Sequence, residues 1–156
     1  MDTFNGLPAH PLFVHAVVVG VPATALAALV IAIWPRARAK LGVVPTVLAF
    51  ATLIAVPITT SAGEALEGKV GPSAALADHA RLGDQLILAV GPLFGLIALL
   101  WLLPLPSVHS RIPLSNKTIG IIDRAARIAT AVVAIAAAIL ILRVGDSGAK
   151  SAWMQP

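Results

Sequence analysis

Four long runs of apolar residues divide the chain into candidate membrane-spanning segments. The runs contain no Lys, Arg, Asp or Glu over 3–35, 41–63, 85–110 and 128–142. A helix needs about 20 mainly apolar residues to cross the hydrocarbon core of a bilayer, and the runs lack the polar–apolar alternation of a membrane strand. The pattern predicts an all-α integral membrane four-helix bundle, with helices near 12–34, 41–60, 85–103 and 120–144.

Composition supports this class of protein. Of the 156 residues, 58% are hydrophobic and 12% are charged, whereas about a quarter of the residues in a soluble domain are charged. The high mean hydropathy of +0.94 also excludes a disordered chain. The absence of Cys excludes disulfides, thiolate metal sites and cysteine nucleophiles. We expect a single membrane domain over 1–156, without an internal sequence repeat.

The distribution of basic residues predicts the orientation. The chain has eleven Lys and Arg residues, and seven of them follow the first and third apolar runs: Arg36, Arg38, Lys40, Arg111, Lys117, Arg124 and Arg127. The positive-inside rule places these segments in the cytoplasm. Both termini then lie on the extracytoplasmic side of a multi-pass protein of the bacterial plasma membrane. Because the bases lie at the ends of apolar runs, the net charge of +4 does not indicate nucleic acid binding.

Small residues at helical spacing predict where helices pack. In lipid, helices associate through close contact across small side chains. The candidate packing positions are Ala16, Gly20, Ala23, Ala27, Gly91 and Gly95. Their spacing predicts helix contacts, either within the bundle or with helices of other membrane proteins.

Histidines and acidic residues collect on the predicted outer side and form the candidate metal site. Imidazole and carboxylate groups of His10, His15, Glu64 and His79 suit zinc, copper or iron. The alternative is that these groups only hydrogen-bond one another, with His15 approaching His79 or sharing Glu64. Residues five apart on a helix point about 140° away from each other, so chelation by His10 and His15 requires a non-helical His10.

A second group of outer charges is expected to form a polar cluster around the helix ends. Its members are Asp78, Asp84, Arg143 and Asp146. Gly145 is expected to end the fourth helix as its C′ residue. The Gly145–Gly148 segment has the letters of a serine protease nucleophile motif, but a membrane helix provides no triad around it. At the inner side, the spacing of Asp123 and Arg127 predicts a pair on one helix surface. We identify no catalytic residues.

Several motifs together resemble a known family. They are His10-Pro11-x-x-Val14-His15, Thr60-Ser61-Ala62-Gly63-Glu64, Asp78-His79-x-x-Leu82-Gly83-Asp84 and Arg143-x-Gly145-Asp146-Ser147-Gly148-Ala149. In this order they resemble the bacterial four-helix membrane proteins catalogued as domain of unknown function 2231, and the Ala- and Val-rich composition resembles actinobacterial members. The resemblance implies a four-helix membrane domain and assigns no reaction.

Two functions are expected from these observations. By analogy with small actinobacterial proteins, the first is a non-catalytic accessory subunit of a larger complex, such as a respiratory cytochrome oxidase supercomplex. Its partners are other membrane subunits and lipid, with no nucleic acid, soluble substrate or cofactor. The second is an outward-facing metal- or haem-binding membrane protein with a redox-related role.

Overall fold

The structure is a computed structural model that describes residues 3–4, 7–68, 73–111 and 113–153. Within these residues, four long helices are each long and apolar enough to cross a membrane. The helices are α1 Ala9–Ile33, α2 Pro35–Leu41, α3 Val44–Glu67, α4 Ala74–Leu102, α5 Pro106–His109 and α6 Asn116–Trp153. The short strands β1 Thr3–Phe4 and β2 Leu7–Pro8 pair antiparallel before α1. The prediction of four helices long and apolar enough to span a membrane is confirmed.

The long helices form an antiparallel ring. Helix α1 packs against α3 and α6, and α4 packs against the same two helices, so that α1 and α4 lie diagonally opposite and touch only slightly. One end of the bundle contains the start of α1 and α4 and the end of α3 and α6; we call it the histidine end, because His10 and His79 lie there. The other contains α2, α5 and the start of α6; we call it the arginine end, after Arg38 and Arg127.

Helices α3, α4 and α6 extend beyond the apolar runs that predict them, whereas α1 lies within its run. Helix α3 continues to Glu67 and α4 begins at Ala74, so most of the segment 61–84, between the second and third predicted helices, is helical. The prediction that Gly145 ends the last helix is wrong, because α6 continues to Trp153. Hydropathy marks only the part of a helix that fits the hydrocarbon core, whereas polar residues continue the backbone hydrogen bonding outside it.

The buried positions reveal a twofold repeat of helical hairpins. Equivalent residues of α1 and α4, counted from His10 and His79, are buried in both helices: Val17 and Leu86, Val21 and Val90, Ala28 and Ile97, and Ile31 and Leu100. Counted back from Gly63 and Gly148, α3 and α6 show the same correspondence: Val56 and Ile141, Thr52 and Ala137, and Ala49 and Ala134. The hairpins α1–α3 and α4–α6 are therefore two copies of one packing unit.

The predicted small-residue positions differ in their surroundings. A Cβ atom on Gly20 would lie 3.1 Å from Thr52 Oγ1, and Thr52 Oγ1 is 2.9 Å from Thr24 Oγ1 in the bundle interior. Gly20 therefore allows close contact of α1 with α3. In contrast, a Cβ on Gly91 or Gly95 would meet no atom within 4 Å. The four-helix unit itself does not require glycine at these two positions.

The alanines of the predicted stripe on α1 are not part of the buried core. Ala16 is exposed, and Ala23 and Ala27 are half-buried. The core face of α1 is instead formed by Val21, Thr24 and Ala28. Of these four positions, Gly20 is the one at which a close contact with α3 is described.

Candidate functional site

Two histidines meet at the histidine end of the bundle. Their ring centres lie 6.3 Å apart, and the ring planes are nearly perpendicular, at 81°. His10 lies in the first turn of α1, and His79 lies in the second turn of α4. Since α1 and α4 are diagonal in the ring of helices, the pair lies across the bundle axis. Both residues are half-buried.

Each histidine binds the backbone of the helix that follows it in its own hairpin. His10 Nδ1 is 3.1 Å from the carbonyl oxygen of Thr59 in α3. His79 Nδ1 is 3.2 Å from the carbonyl oxygen of Val144 in α6, and 3.1 Å from Ser147 Oγ. A carbonyl oxygen only accepts hydrogen bonds, so Nδ1 carries the proton in both rings. The neutral imidazole then has its lone pair on Nε2, where it can bind a metal or accept a proton.

A glycine lies against each ring. A Cβ on Gly63 would lie 3.1 Å from His10 Cε1, and one on Gly148 would lie 3.0 Å from His79 Cε1. Each glycine is four residues after the carbonyl that its histidine binds, and therefore one helical turn farther out. Any side chain at these positions would displace the imidazole. The glycines thus allow the Cε1–Nδ1 edge of each ring to approach the neighbouring helix and reach its carbonyl.

The other predicted ligands do not join this pair into a larger site. Within the described residues, no group of three or more His, Asp or Glu side chains is arranged to hold a metal ion. His10 is helical, so His15 points to a different side of α1, where it is exposed, as is Glu64 on α3. His10, rather than His15, is the partner of His79. The acidic residue that acts electrostatically on His79 is Glu67, one turn beyond the predicted Glu64.

The predicted polar cluster is dispersed over helix surfaces. Asp78 is 3.4 Å from Arg81 on α4, and Asp146 is 2.7 Å from Lys150 on α6. Asp84 and Arg143 are exposed. Such exposed pairs contribute little to stability, and the acidic residues here lie on the exposed surface of the helices.

At the arginine end, charged side chains bind groups on other helices, whereas the pairs described above lie within one helix. Arg38 of α2 is 2.6 Å from Asp123 of α6, and both side chains are largely buried, with 17% and 25% of their surface exposed. Arg127 donates from Nε to the carbonyl of Ala32 at 2.5 Å and from its terminal nitrogen to that of Ile33 at 3.3 Å. These carbonyls end α1, where Pro35 interrupts the helix. Asp123 and Arg127 therefore bind other helices, and not each other as predicted.

The sequence analysis places His10 and His79 in one candidate site but pairs His79 with His15, although the sequence carries a signal for the observed pair. Each outgoing helix, α1 and α4, has a histidine within its first two turns. Each returning helix, α3 and α6, has a small residue followed by glycine within its last two turns, at Ala62-Gly63 and Ser147-Gly148. The surrounding residues differ too much between the hairpins for this repeat to be visible without the burial pattern.

Comparison of the chain with protein-family models, with curated proteins and with solved structures gave no match. The proposals below therefore depend on the geometry of this chain.

Proposed function

We propose that the protein is a multi-pass protein of the bacterial plasma membrane that binds a metal centre through His10 and His79 and serves a redox-related role there. The metal is either a bare transition-metal ion or the iron of a haem. The single observation that carries the proposal is the pairing of two imidazoles across the bundle axis, 6.3 Å apart.

Three features of the pair support metal binding over simple hydrogen bonding. Backbone carbonyls accept the Nδ1 protons, which fixes the tautomer and leaves Nε2 basic, as is usual for histidine ligands. The two rings come from separate hairpins and converge at one place. Polar rings near the membrane boundary carry an energetic cost that a functional role explains.

Metal analysis of the purified protein tests the proposal. The full chain is produced in cells supplied with iron, copper and zinc, purified in mild detergent, and analysed for metal per chain. We expect one metal centre per chain, reduced about tenfold or more in His10→Ala and His79→Ala. His15→Ala is the matched control, because it removes an exposed histidine of the same helix and should retain the metal. Metal-free wild-type protein after growth and after reconstitution would overturn the proposal.

We further propose that the histidine end is extracytoplasmic, as the distribution of basic residues predicts. The chain has no Cys, so single cysteines report topology directly. Cysteines at Ala74 and Ala149, both exposed at the histidine end, should react with an impermeant thiol reagent in intact cells. A cysteine at the exposed Ala39 in α2 should not react until the cells are opened. The reverse labelling pattern would invert the orientation.

A second function, as an accessory subunit of a respiratory complex, is favoured by the open face at Gly91 and Gly95. Since neither glycine is needed for packing inside the bundle, we propose that this face of α4 contacts a helix of another subunit. Gly95→Leu should leave the melting temperature of the isolated protein nearly unchanged, while lowering co-purification of partner subunits. Leu88→Ile, at an exposed position of the same helix, is the control. Equal co-purification of both variants would exclude the contact.

A further inference from the structure

We infer that the arginine end binds an anionic phospholipid whose head group carries hydroxyl groups, in a cavity between the end of α4 and the start of α6. The inference goes beyond the proposed function and does not depend on the metal centre. It is carried by the position and lining of the cavity, by a glycine that no helix contact requires, and by basic residues that have no acidic partner.

The cavity lies at the boundary between apolar and polar parts of the bundle. Its volume is about 420 Å³, within the range of about 300 to 1,000 Å³ that is usual for ligand pockets. The lining residues are partly apolar and partly polar: Leu103, Pro104, Asn116, Ile119, Gly120 and Asp123. Helix α4 ends at Leu102, and the last apolar run begins only at 128. A ligand in this cavity therefore meets the edge of the hydrocarbon core on one side and polar groups on the other, as a phospholipid does.

Gly120 keeps the cavity open. It lies in the second turn of α6, where glycine is less favourable than alanine. A Cβ atom on Gly120 would meet no atom within 4 Å, and its backbone does not have the positive φ that Gly42 has. Neither close packing nor backbone conformation therefore requires glycine here. The effect of the missing side chain is a wider space between α4 and α6.

The arginine end has an excess of positive charge that the protein itself does not neutralise. This end contains seven basic residues and a single acidic residue, Asp123. Arg38 pairs with Asp123, and Arg127 binds the last carbonyls of α1. The other five basic residues are exposed and, within the described residues, form no salt bridge: Arg36, Lys40, Arg111, Lys117 and Arg124. Basic residues at a membrane boundary attract anionic lipids.

Two of these basic residues flank the cavity on α6. Lys117 and Arg124 are seven residues, or about two helical turns, apart and therefore lie on the same side of the helix. Gly120, which lines the cavity, lies between them, about 60° around the helix from Lys117 and about 40° from Arg124. Both side chains are long and exposed, so both can contact a phosphate group at the opening of the cavity.

The polar part of the lining selects the head group. The carboxylate of Asp123 accepts hydrogen bonds and donates none, and its Oδ1 already accepts one from Arg38 at 2.6 Å. It repels a second anionic group and accepts hydrogen bonds from hydroxyl groups. The side-chain amide of Asn116 both donates and accepts. The lining therefore favours a head group with one phosphodiester and free hydroxyl groups, as in phosphatidylglycerol.

Lipid titration of the full chain in mild detergent, followed by native mass spectrometry, tests the inference. Phosphatidylglycerol is compared with phosphatidylethanol, which has the same charge without hydroxyl groups, and with zwitterionic phosphatidylcholine. Hydrogen bonds to charged groups change affinity about tenfold or more, so phosphatidylglycerol should bind about tenfold more tightly than phosphatidylethanol. Each basic residue contributes about fivefold near anionic lipid, so Lys117→Gln/Arg124→Gln should weaken phosphatidylglycerol binding about 25-fold.

Variants of α6 separate the cavity from general attraction to the charged surface. Gly120→Leu should fill the cavity and remove the preference for phosphatidylglycerol over phosphatidylethanol. Gly145→Leu is the matched control, because a Cβ on Gly145 also meets no atom within 4 Å. Arg143→Gln/Lys150→Gln is the control for charge, because these bases are also exposed and seven residues apart, at the other end of the helix. Far-ultraviolet circular dichroism checks that each variant is folded.

Three results would each overturn the inference. Equal affinity of wild type and Gly120→Leu for phosphatidylglycerol would exclude the cavity as the binding site. Equal binding of phosphatidylglycerol and phosphatidylethanol by wild type would exclude recognition of the hydroxyl groups. Displacement of the lipid by soluble glycerol phosphate at equal concentration would show that the ligand is a free phosphate ester. The metal content of the protein is measured separately and is not changed by any of these results.

Discussion

The two ends of the bundle handle polar groups in opposite ways. At the arginine end, charged side chains join different helices: Arg127 binds the last carbonyls of α1, and Arg38 pairs with Asp123. At the histidine end, imidazole Nδ1 groups donate to backbone carbonyls within each hairpin, and the two rings meet across the axis. The first arrangement uses the hydrogen-bonding capacity of its groups to close the bundle. Among the described residues, the hydrogen bonds of the second arrangement involve only Nδ1 of each ring.

This difference shows how a stabilising polar contact can be distinguished from a candidate site. Helix-ending carbonyls need partners, and an arginine supplies them with full charge at the negative end of the helix dipole. The carbonyls of Thr59 and Val144 lie within helices and already accept backbone hydrogen bonds. Structural need therefore explains Arg127 completely, but it does not explain why two histidines bind carbonyls that already have donors.

The largest expected effect is a loss of stability when the arginine end loses a hydrogen-bond donor. Arg127→Ala leaves the carbonyls of Ala32 and Ile33 without their donor, and hydrogen bonds to charged groups contribute about 1.5 to 3 kcal/mol. We expect the free energy of unfolding in detergent to fall by about 2 to 3 kcal/mol. Arg124→Ala, at an exposed position of the same helix, should change it by about 0.5 kcal/mol or less. Similar losses in both variants would show that the positive charge of the arginines stabilises this end, and that the hydrogen bonds of Arg127 to the last carbonyls of α1 do not.

The next effect concerns the glycine beneath His79. Gly148→Ala places a methyl group 3.0 Å from the imidazole, and such overpacking costs about 1 to 3 kcal/mol. Gly145→Ala, three residues earlier in α6, meets no atom within 4 Å and should stabilise the helix by about 0.5 to 1 kcal/mol. The two substitutions are chemically identical, so opposite shifts in melting temperature would isolate the contact with the ring. Stabilisation by Gly148→Ala would contradict the close approach.

The sequence predicts the four long helices, but it does not predict which residues contact His79 or the role of the two glycines. The four spanning helices follow from the apolar runs, because the bilayer requires about 20 apolar residues per span. The partner of His79 does not follow, because it depends on where α1 begins. Helical structure from Ala9 turns His10 toward the axis and His15 away from it. The roles of Gly63 and Gly148 depend on contacts between helices, which a single sequence does not display.

The third expected effect is energetic coupling between His10 and His79, which lie across the bundle axis from each other. His10 and His79 are in contact through their rings, and contacting residues usually show interaction energies of about 0.5 kcal/mol or more. In metal-free protein, the double variant His10→Ala/His79→Ala should cost about 1 kcal/mol less than the sum of the single variants. The cycle of His15→Ala with His79→Ala should be additive. Coupling in the second cycle and additivity in the first would restore the pairing predicted from sequence.

The smallest expected effect concerns a buried hydroxyl at the arginine end that, unlike the charged groups there, has no partner among the described residues. Thr46, near the start of α3, is buried, and its Oγ1 has no hydrogen-bond partner among the described residues. Leaving a buried hydroxyl without a partner is unfavourable, so Thr46→Val should raise the free energy of unfolding by about 1 kcal/mol or less. Thr52→Val is the matched control on the same helix, because Thr52 Oγ1 is bonded to Thr24 Oγ1 and to the carbonyl of Leu48. That substitution should instead lower stability, since it removes the donor to Leu48 and a partner of Thr24. If Thr46→Val destabilises the protein as much as Thr52→Val, the hydroxyl of Thr46 is bonded, and the arginine end has no unpaired group at this position.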